Sequence, residues 1–285
     1  MDATISILGF GEAGQTFALA GAWRERARVY DVKTTIPADR SAKYLDYANA
    51  GVSGCSGVEA ALHASRVVMS LVTADQALAA ARAAAPHLTP GTLYFDMNSV
   101  APATKQAAAS QVNRHGCTYI DVAVMSPVQS AALAAPLLLA GGESEKAIAS
   151  LAAFGFSNLR VVGNKVGQAA AIKMIRSVMF KGMEALSAEC ALAAHRAGVL
   201  DEVAESLGPS WSDQSDYRLD RMMVHGLRRA AEMEEAVKTL DALGVAAPMT
   251  RATVNWQRRI GALGLNRPGK AVKQKLVQLT ESFKS

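Results

Sequence analysis

From its start to about Gly163 the chain alternates short apolar runs rich in β-branched residues with longer Ala-rich stretches of helical period. Runs at 4–8, 28–30, 66–72, 93–96, 117–124, 136–140 and 159–162 predict strands, and segments such as 12–23 and 74–85 predict helices between them. That alternation predicts a mostly parallel, doubly wound α/β sheet covered by helices. Beyond Gly163 the strand pattern stops. Residues from about 166 to 197 hold no proline and only Gly182 as an interior glycine, which predicts one long helix. The remainder reads as helices punctuated at Gly208-Pro209-Ser210, Ala247-Pro248 and Arg267-Pro268-Gly269. The expected organisation is an α/β domain over 1–163 followed by an all-α domain over 164–285.

Composition narrows the class. A chain of 285 residues suits two domains with separate cores. No uncharged apolar stretch reaches the roughly 20 residues of a membrane span. Met1 to Leu8 is too short and too acidic for a signal peptide, so a soluble cytoplasmic protein without membrane contacts is expected. Cys55, Cys117 and Cys190 are few, odd in number and far apart, which predicts reduced thiols and no metal site. The net charge of +5 is uneven: the first 150 residues carry 11 Lys and Arg against 12 Asp and Glu, the rest 19 against 13. Because acids are interleaved with the bases and aromatics are few, a small anionic substrate accounts for the excess better than nucleic acid.

The chemistry begins at the first strand, which runs into Gly9-Phe10-Gly11-Glu12-Ala13-Gly14. Three glycines in the spacing GxGxxG give a tight turn, close backbone approach and amides at a helix start, as a bound pyrophosphate requires. With a strand before it and a helix after it, this turn predicts a Rossmann-type dinucleotide site. Asp31 closes the second strand, 17 residues beyond Gly14, where a carboxylate accepts bonds from adenosine ribose hydroxyls and repels a 2′-phosphate. NAD is therefore favoured, and Lys33, able to neutralise such a phosphate, keeps NADP as the alternative. Val72, Thr73 and Asn98 complete the expected cofactor contacts.

Four ordered motifs then resemble the β-hydroxyacid dehydrogenase superfamily, which includes 3-hydroxyisobutyrate and 6-phosphogluconate dehydrogenases. They are Ile7–Gly14, Asp96–Pro102, Asp121–Val128 and Gly167–Ser177. The second is similar to the family's Asp-x-Ser-Thr-Ile-x-Pro segment, with Asn98 and Ser99 in its hydroxyl positions. The third is similar to its substrate loop, but has Met125 for a serine and Ser126-Pro127 for two glycines, which removes a hydroxyl and an amide. The fourth resembles the catalytic helix, with Lys173 in the lysine position and Ser177 where asparagine is usual. These departures, with the stretch 221–233, match a divergent branch carrying a poorly characterised C-terminal domain. The resemblance implies an NAD(P)-dependent dehydrogenase or reductase acting on a hydroxy acid, and a homodimer.

Hydride transfer at a C–OH group needs one reversible acid/base, and Lys173 is assigned that role. Lys173, Ser177 and Lys181 recur at i, i+4 and i+8 and share a helix face. Ser99 and Ser177 are placed with Lys173, and Met125, Ser126 and Lys181 with the substrate. On a later helix, Arg218, Arg221, His225, Arg228 and Glu232 follow helical spacing if Gly226 does not break it. His225 and Arg228 then either clamp a substrate anion or belong to an interface or solvated face. Rival readings are oxidative decarboxylation, imine reduction, and a nicotinamide-binding sensor that has lost catalysis.

Overall fold

The computed structural model describes residues 4–283. Its first stretch contains β1 (Ile5–Leu8), α1 (Glu12–Ala20), β2 (Ala27–Tyr30), α2 (Pro37–Ala50), β3 (Ser53–Gly54), α3 (Val58–Leu62), β4 (Val67–Ser70), α4 (Ala77–Ala84) and β5 (Leu93–Asp96). It continues with α5 (Pro102–Asn113), β6 (Thr118–Val124), α6 (Val128–Ala131), β7 (Leu137–Gly141), α7 (Ser144–Ala153) and β8 (Leu159–Gly163). Helices follow: α8 (Gln168–Ala197), α9 (Leu200–Leu207), α10 (Trp211–Ala242), α11 (Pro248–Gly261) and α12 (Val272–Ser282). The chain divides into two compact units after Lys173, inside α8.

In the first unit the strands form one sheet in the order β3-β2-β1-β4-β5-β6-β7-β8. Pairing is parallel throughout except between β6 and β7. The doubly wound α/β sheet expected from the sequence is thus present, and its order reverses at β1, where crossovers to either side leave a crevice beyond the strand ends. The strands are uniformly buried where helices cover both faces: β1, β4, β5 and β7 expose no residue. One core gathers Ile5, Ile7, Phe17, Trp23, Val29, Phe95 and Phe154. A second gathers Leu8, Leu62, Val68, Tyr94, Val112 and Tyr119.

Three local expectations need correction. Helix α1 stops at Ala20 rather than near Trp23, because the chain folds back and the Trp23 indole fills the space beside Gly21. The buried indole N–H then donates to Phe154 O at 2.9 Å. The strand predicted at 66–72 ends at Ser70, beyond which Val72 N donates to the Asn98 side chain. The two-residue β3 carries no periodic signal, so the apolar pattern does not predict it; it pairs with β2 at the sheet edge.

In the second unit, Leu192, Leu219, Met222, Met223, Ile260, Leu276 and Leu279 form the main core, and Met233, Ala236 and Val254 a smaller one. Gly226 does not interrupt α10. A Cβ at Gly226 would lie 2.4 Å from Gln257 O, and one at Gly261 2.4 Å from Leu227 N. The glycines therefore let the backbones of α10 and α11 touch.

Candidate active site

The turn between β1 and α1 is built by contacts that its sequence only partly announces. Gly9 has φ +87°, and a Cβ there would lie 2.5 Å from Leu71 O; one at Gly14 would lie 2.8 Å from Gly9 O. Those two positions require glycine by packing and, at Gly9, by backbone conformation. A Cβ at Gly11 would meet nothing within 4 Å. Gly11 also starts α1 without a side-chain cap. Open space at an uncapped helix start fits an anionic pyrophosphate. Glu12 is exposed, and Ala13 packs against the core.

Phe10 is the most tightly held residue of the turn. Its amide donates to Asp31 Oδ2 at 2.7 Å. Its carbonyl accepts from Lys43 Nζ at 2.9 Å and from Gln15 Nε2 at 3.2 Å. Both of those donors also reach Asp46 Oδ2. Asp31 spends its other oxygen on Lys33 N at 3.0 Å, while the Lys33 side chain is exposed. Asp31 is therefore partly engaged in shaping the turn. Gln15, Lys43 and Asp46 were not singled out in the sequence, because their common partner is a backbone carbonyl.

Asn98 joins the ends of two strands: its Oδ1 accepts from Val72 N at 2.7 Å and its Nδ2 donates to Ser70 Oγ at 2.9 Å. This buried side chain fixes the loop bearing Val72 and Thr73, whose side chains are half-buried and exposed. Ser99, next in line, is half-buried. After β6, Met125 N is spent on Pro136 O at 2.9 Å, so this loop offers no anion site through that amide. Ser126 Oγ is buried and has no hydrogen-bond partner among the described residues.

Lys173 lies half-buried in the opening turns of α8 and is the last residue of the first unit. In the second unit, buried Lys181 Nζ donates to Ser177 Oγ at 3.3 Å and pairs with Glu232 of α10 at 2.8 Å. The structure brings Ser177 and Lys181 together as their spacing predicted, and adds a carboxylate that neutralises the lysine. His225 and Arg228 line a concavity of about 370 Å³ with Leu227, Gly261, Gly264 and Asn266. Neighbouring Arg229 belongs to a different group: its Nε donates to Glu184 Oε2 at 2.9 Å, and that oxygen also accepts from Gln257. Arg218 is turned to Ser187 and Gln214.

Residues 4–156 match the model of the NAD binding domain of 6-phosphogluconate dehydrogenase. The chain belongs to the β-hydroxyacid dehydrogenase superfamily. Residues 194–260 match a second family model, Domain of unknown function (DUF1932), which marks this member's branch. Similar to it is a conserved hypothetical protein from Sinorhizobium meliloti, 36% identical over 99% of this chain and 97% of that one, with a TM-score of 0.74. A conserved protein of unknown function, described as structurally similar to 3-hydroxyacid dehydrogenases, is 29% identical over 91% of this chain and 97% of that one, TM-score 0.68. The 3-hydroxyisobutyrate dehydrogenase of Mycobacterium tuberculosis, solved with L-serine, shares the fold at a TM-score of 0.72 and 18% identity, with all of both chains covered. This superfamily member therefore has an NAD(P)-binding domain of hydroxyacid dehydrogenase type. Among its described residues no helix is long and apolar enough to cross a membrane.

Proposed function

We propose that the protein is an oxidoreductase exchanging hydride between a nicotinamide cofactor and a small carboxylate-bearing hydroxy acid, with Lys173 as general acid/base. The observation that carries this reading is Lys173 itself, a half-buried lysine in the opening turns of α8, within the same compact unit as the glycine turn. The nicotinamide, when bound, supplies the hydride acceptor or donor. In oxidation Lys173 Nζ takes the hydroxyl proton, and in reduction it returns that proton to the carbonyl oxygen. The buried, unpartnered Ser126 hydroxyl and the half-buried Ser99 orient the substrate. Ser177 accepts from Lys181, which leaves its own O–H to donate to a substrate oxygen. Lys181, neutralised by Glu232, sets the direction of that hydroxyl rather than acting as a bare cation. In this reading the concavity lined by His225 and Arg228 takes an anionic group.

NAD is the cofactor in this reading, because the Asp31 carboxylate retains acceptor capacity beyond its two amide contacts and repels a 2′-phosphate. A homodimer completes the proposal, read by light scattering as twice the 29.9 kDa chain.

The test is a screen of hydroxy acids and aldonates for reduction of NAD⁺ and NADP⁺, followed as nicotinamide absorbance. Turnover of at least one acid with NAD⁺ is expected, with kcat falling about 10²–10⁴-fold in Lys173→Ala while NADH still binds. Turnover that survives Lys173→Ala refutes the acid/base role, and preference for NADP⁺ refutes the role of Asp31. Reduction of cyclic imines together with inertness toward every carboxylate replaces the substrate class.

A further inference from the structure

The buried charges at the end of β5 and the middle of β6 take no part in the hydride chemistry above, yet they reach the helix that carries Lys173. Asp96 and Asp121 are register partners on these strands and both are fully buried. Adjacent carboxylates repel, and burying them without a cation is costly. Lys105 of α5, equally buried, stands over the pair, its Nζ 2.8 Å from Asp96 Oδ1 and 3.5 Å from Asp121 Oδ1. Tyr119 completes the cluster by donating to Asp96 Oδ2 at 2.5 Å.

The remaining oxygen of Asp121 does something different. Oδ2 accepts from Gly167 N at 2.9 Å and from Ala170 N at 3.1 Å. The first amides of a helix have no acceptor within it and are usually satisfied from the adjoining chain. Here a carboxylate 46 residues upstream caps α8 from the sheet. Two donors on one oxygen fix both the rotation of the opening turn and its height over β6. Gln106 adds a tether by donating to Val166 O at 3.3 Å, and Gly167, at φ +103°, shapes the approach. Lys173 follows Ala170 by less than one helical turn.

We propose that Asp121 is a positioning residue for Lys173: its carboxylate, set by Lys105, locks the first turn of α8 to the sheet and so places the Lys173 amine. The functional weight of the proposal rests on the acid/base reading of Lys173. Misplacing a reacting group by about 1 Å can cost on the order of 10²-fold in rate. Asp121→Asn removes the charge and turns an N–H₂ donor either at Lys105 Nζ or at the Gly167 and Ala170 amides. Gly167→Ala disturbs the same contact from the other partner, because a Cβ there lies 3.0 Å from Pro102 Cβ and the backbone is left-handed.

Full-length wild type and both variants are labelled with acetic anhydride, the acetylation rates of Lys173 and exposed Lys146 are read by peptide mass spectrometry, and NADH binding serves as the control for folding. Release of the first turn is expected to speed labelling of Lys173 by about threefold in each variant, because a loosened turn opens the amine to the reagent more often, with Lys146 unchanged. On the hydroxy acid found in the screen, kcat is expected to fall about 10²-fold with KM for NAD⁺ unchanged. Wild-type labelling of Lys173 in variants that still bind NADH overturns the proposal, and if Asp121→Asn does not fold, Gly167→Ala decides alone. Faster labelling combined with turnover that survives Lys173→Ala would uphold the hold of Asp121 on Lys173 and refute the acid/base reading.

Discussion

Asp31 Oδ2 and Phe10 N meet at 2.7 Å, tying the end of β2 to the glycine turn at the end of β1. The side chain assigned to the adenosine ribose therefore also shapes the pyrophosphate turn. Removing it in Asp31→Ala deletes a part-buried charged hydrogen bond, worth about 1.5–3 kcal/mol. The expected outcome is a lower urea midpoint together with NADH binding weakened about tenfold or more, measured by fluorescence titration. Asp31→Asn retains an acceptor for Phe10 N but no charge, so its stability should fall less while NADP⁺ becomes a better cofactor. Wild-type affinity for NADH in Asp31→Ala would remove Asp31 from the cofactor site.

Lys105 is the one cation facing both Asp96 and Asp121 among the described residues. Breaking a buried ion pair by deleting one partner leaves uncompensated charge, at a cost of about 3–5 kcal/mol. Lys105→Met keeps the volume and is expected to lose stability in that range by urea denaturation. A loss below about 1 kcal/mol would mean that the carboxylates are satisfied by other groups.

The contrast between these two sites shows what was legible in the sequence. The glycine turn announces itself because Gly9, Gly14 and Asp31 act within one strand–turn–helix–strand unit, where Gly9 takes a positive φ and Gly14 lies against Gly9 O. Lys105 lies on an Ala-rich helical stretch, where a lysine is ordinarily solvated. Its burial follows only once β5 and β6 pair in register and set Asp96 beside Asp121. Knowledge of that register would have required a cation nearby; strand periodicity alone does not give it. The same limit applied to Glu232, whose i+4 neighbours Arg228 and Ala236 gave no hint of Lys181 on another helix. The helical period did place Ser177 and Lys181 together, because that relationship is local.

Burial raises the hydroxyl pKa values of Tyr94 and Tyr119, and the neighbouring Asp96 raises both further. Each stays neutral in the folded chain at pH values where the unfolded chain, titrating near the ordinary value of about 10, begins to ionise. Their stabilising contribution is fully present below pH about 10 and is lost as pH rises through the raised folded values. The urea midpoint should therefore fall on the alkaline side of pH about 10. Tyr119→Phe should show a smaller alkaline fall, from a lower starting stability because Asp96 Oδ2 loses its donor. An alkaline fall of unchanged size in that variant would assign the titration elsewhere.

Gly226 and Gly261 make the sharpest steric prediction, because the obstacles are backbone atoms. A Cβ at Gly226 would stand 2.4 Å from Gln257 O and 2.7 Å from Gly261 Cα, and neither can swing aside as a side-chain end can. Gly226→Ala gains helix propensity of about 1 kcal/mol in α10, since glycine is a poor helix former. Overpacking costs about 1–3 kcal/mol, and here it acts on two helices whose closest approach must widen. Because the obstacles are backbone on two helices, the cost should fall at the upper end of that range and prevail, with a net loss of up to about 2 kcal/mol in urea unfolding. The Gly226–Gly261 crossing adjoins His225 and Arg228 in the concavity they line. If that concavity takes the substrate anion, Gly226→Ala should raise KM for the hydroxy acid and leave NADH affinity unchanged. Equal or greater stability in Gly226→Ala would show that α10 and α11 do not cross at these glycines.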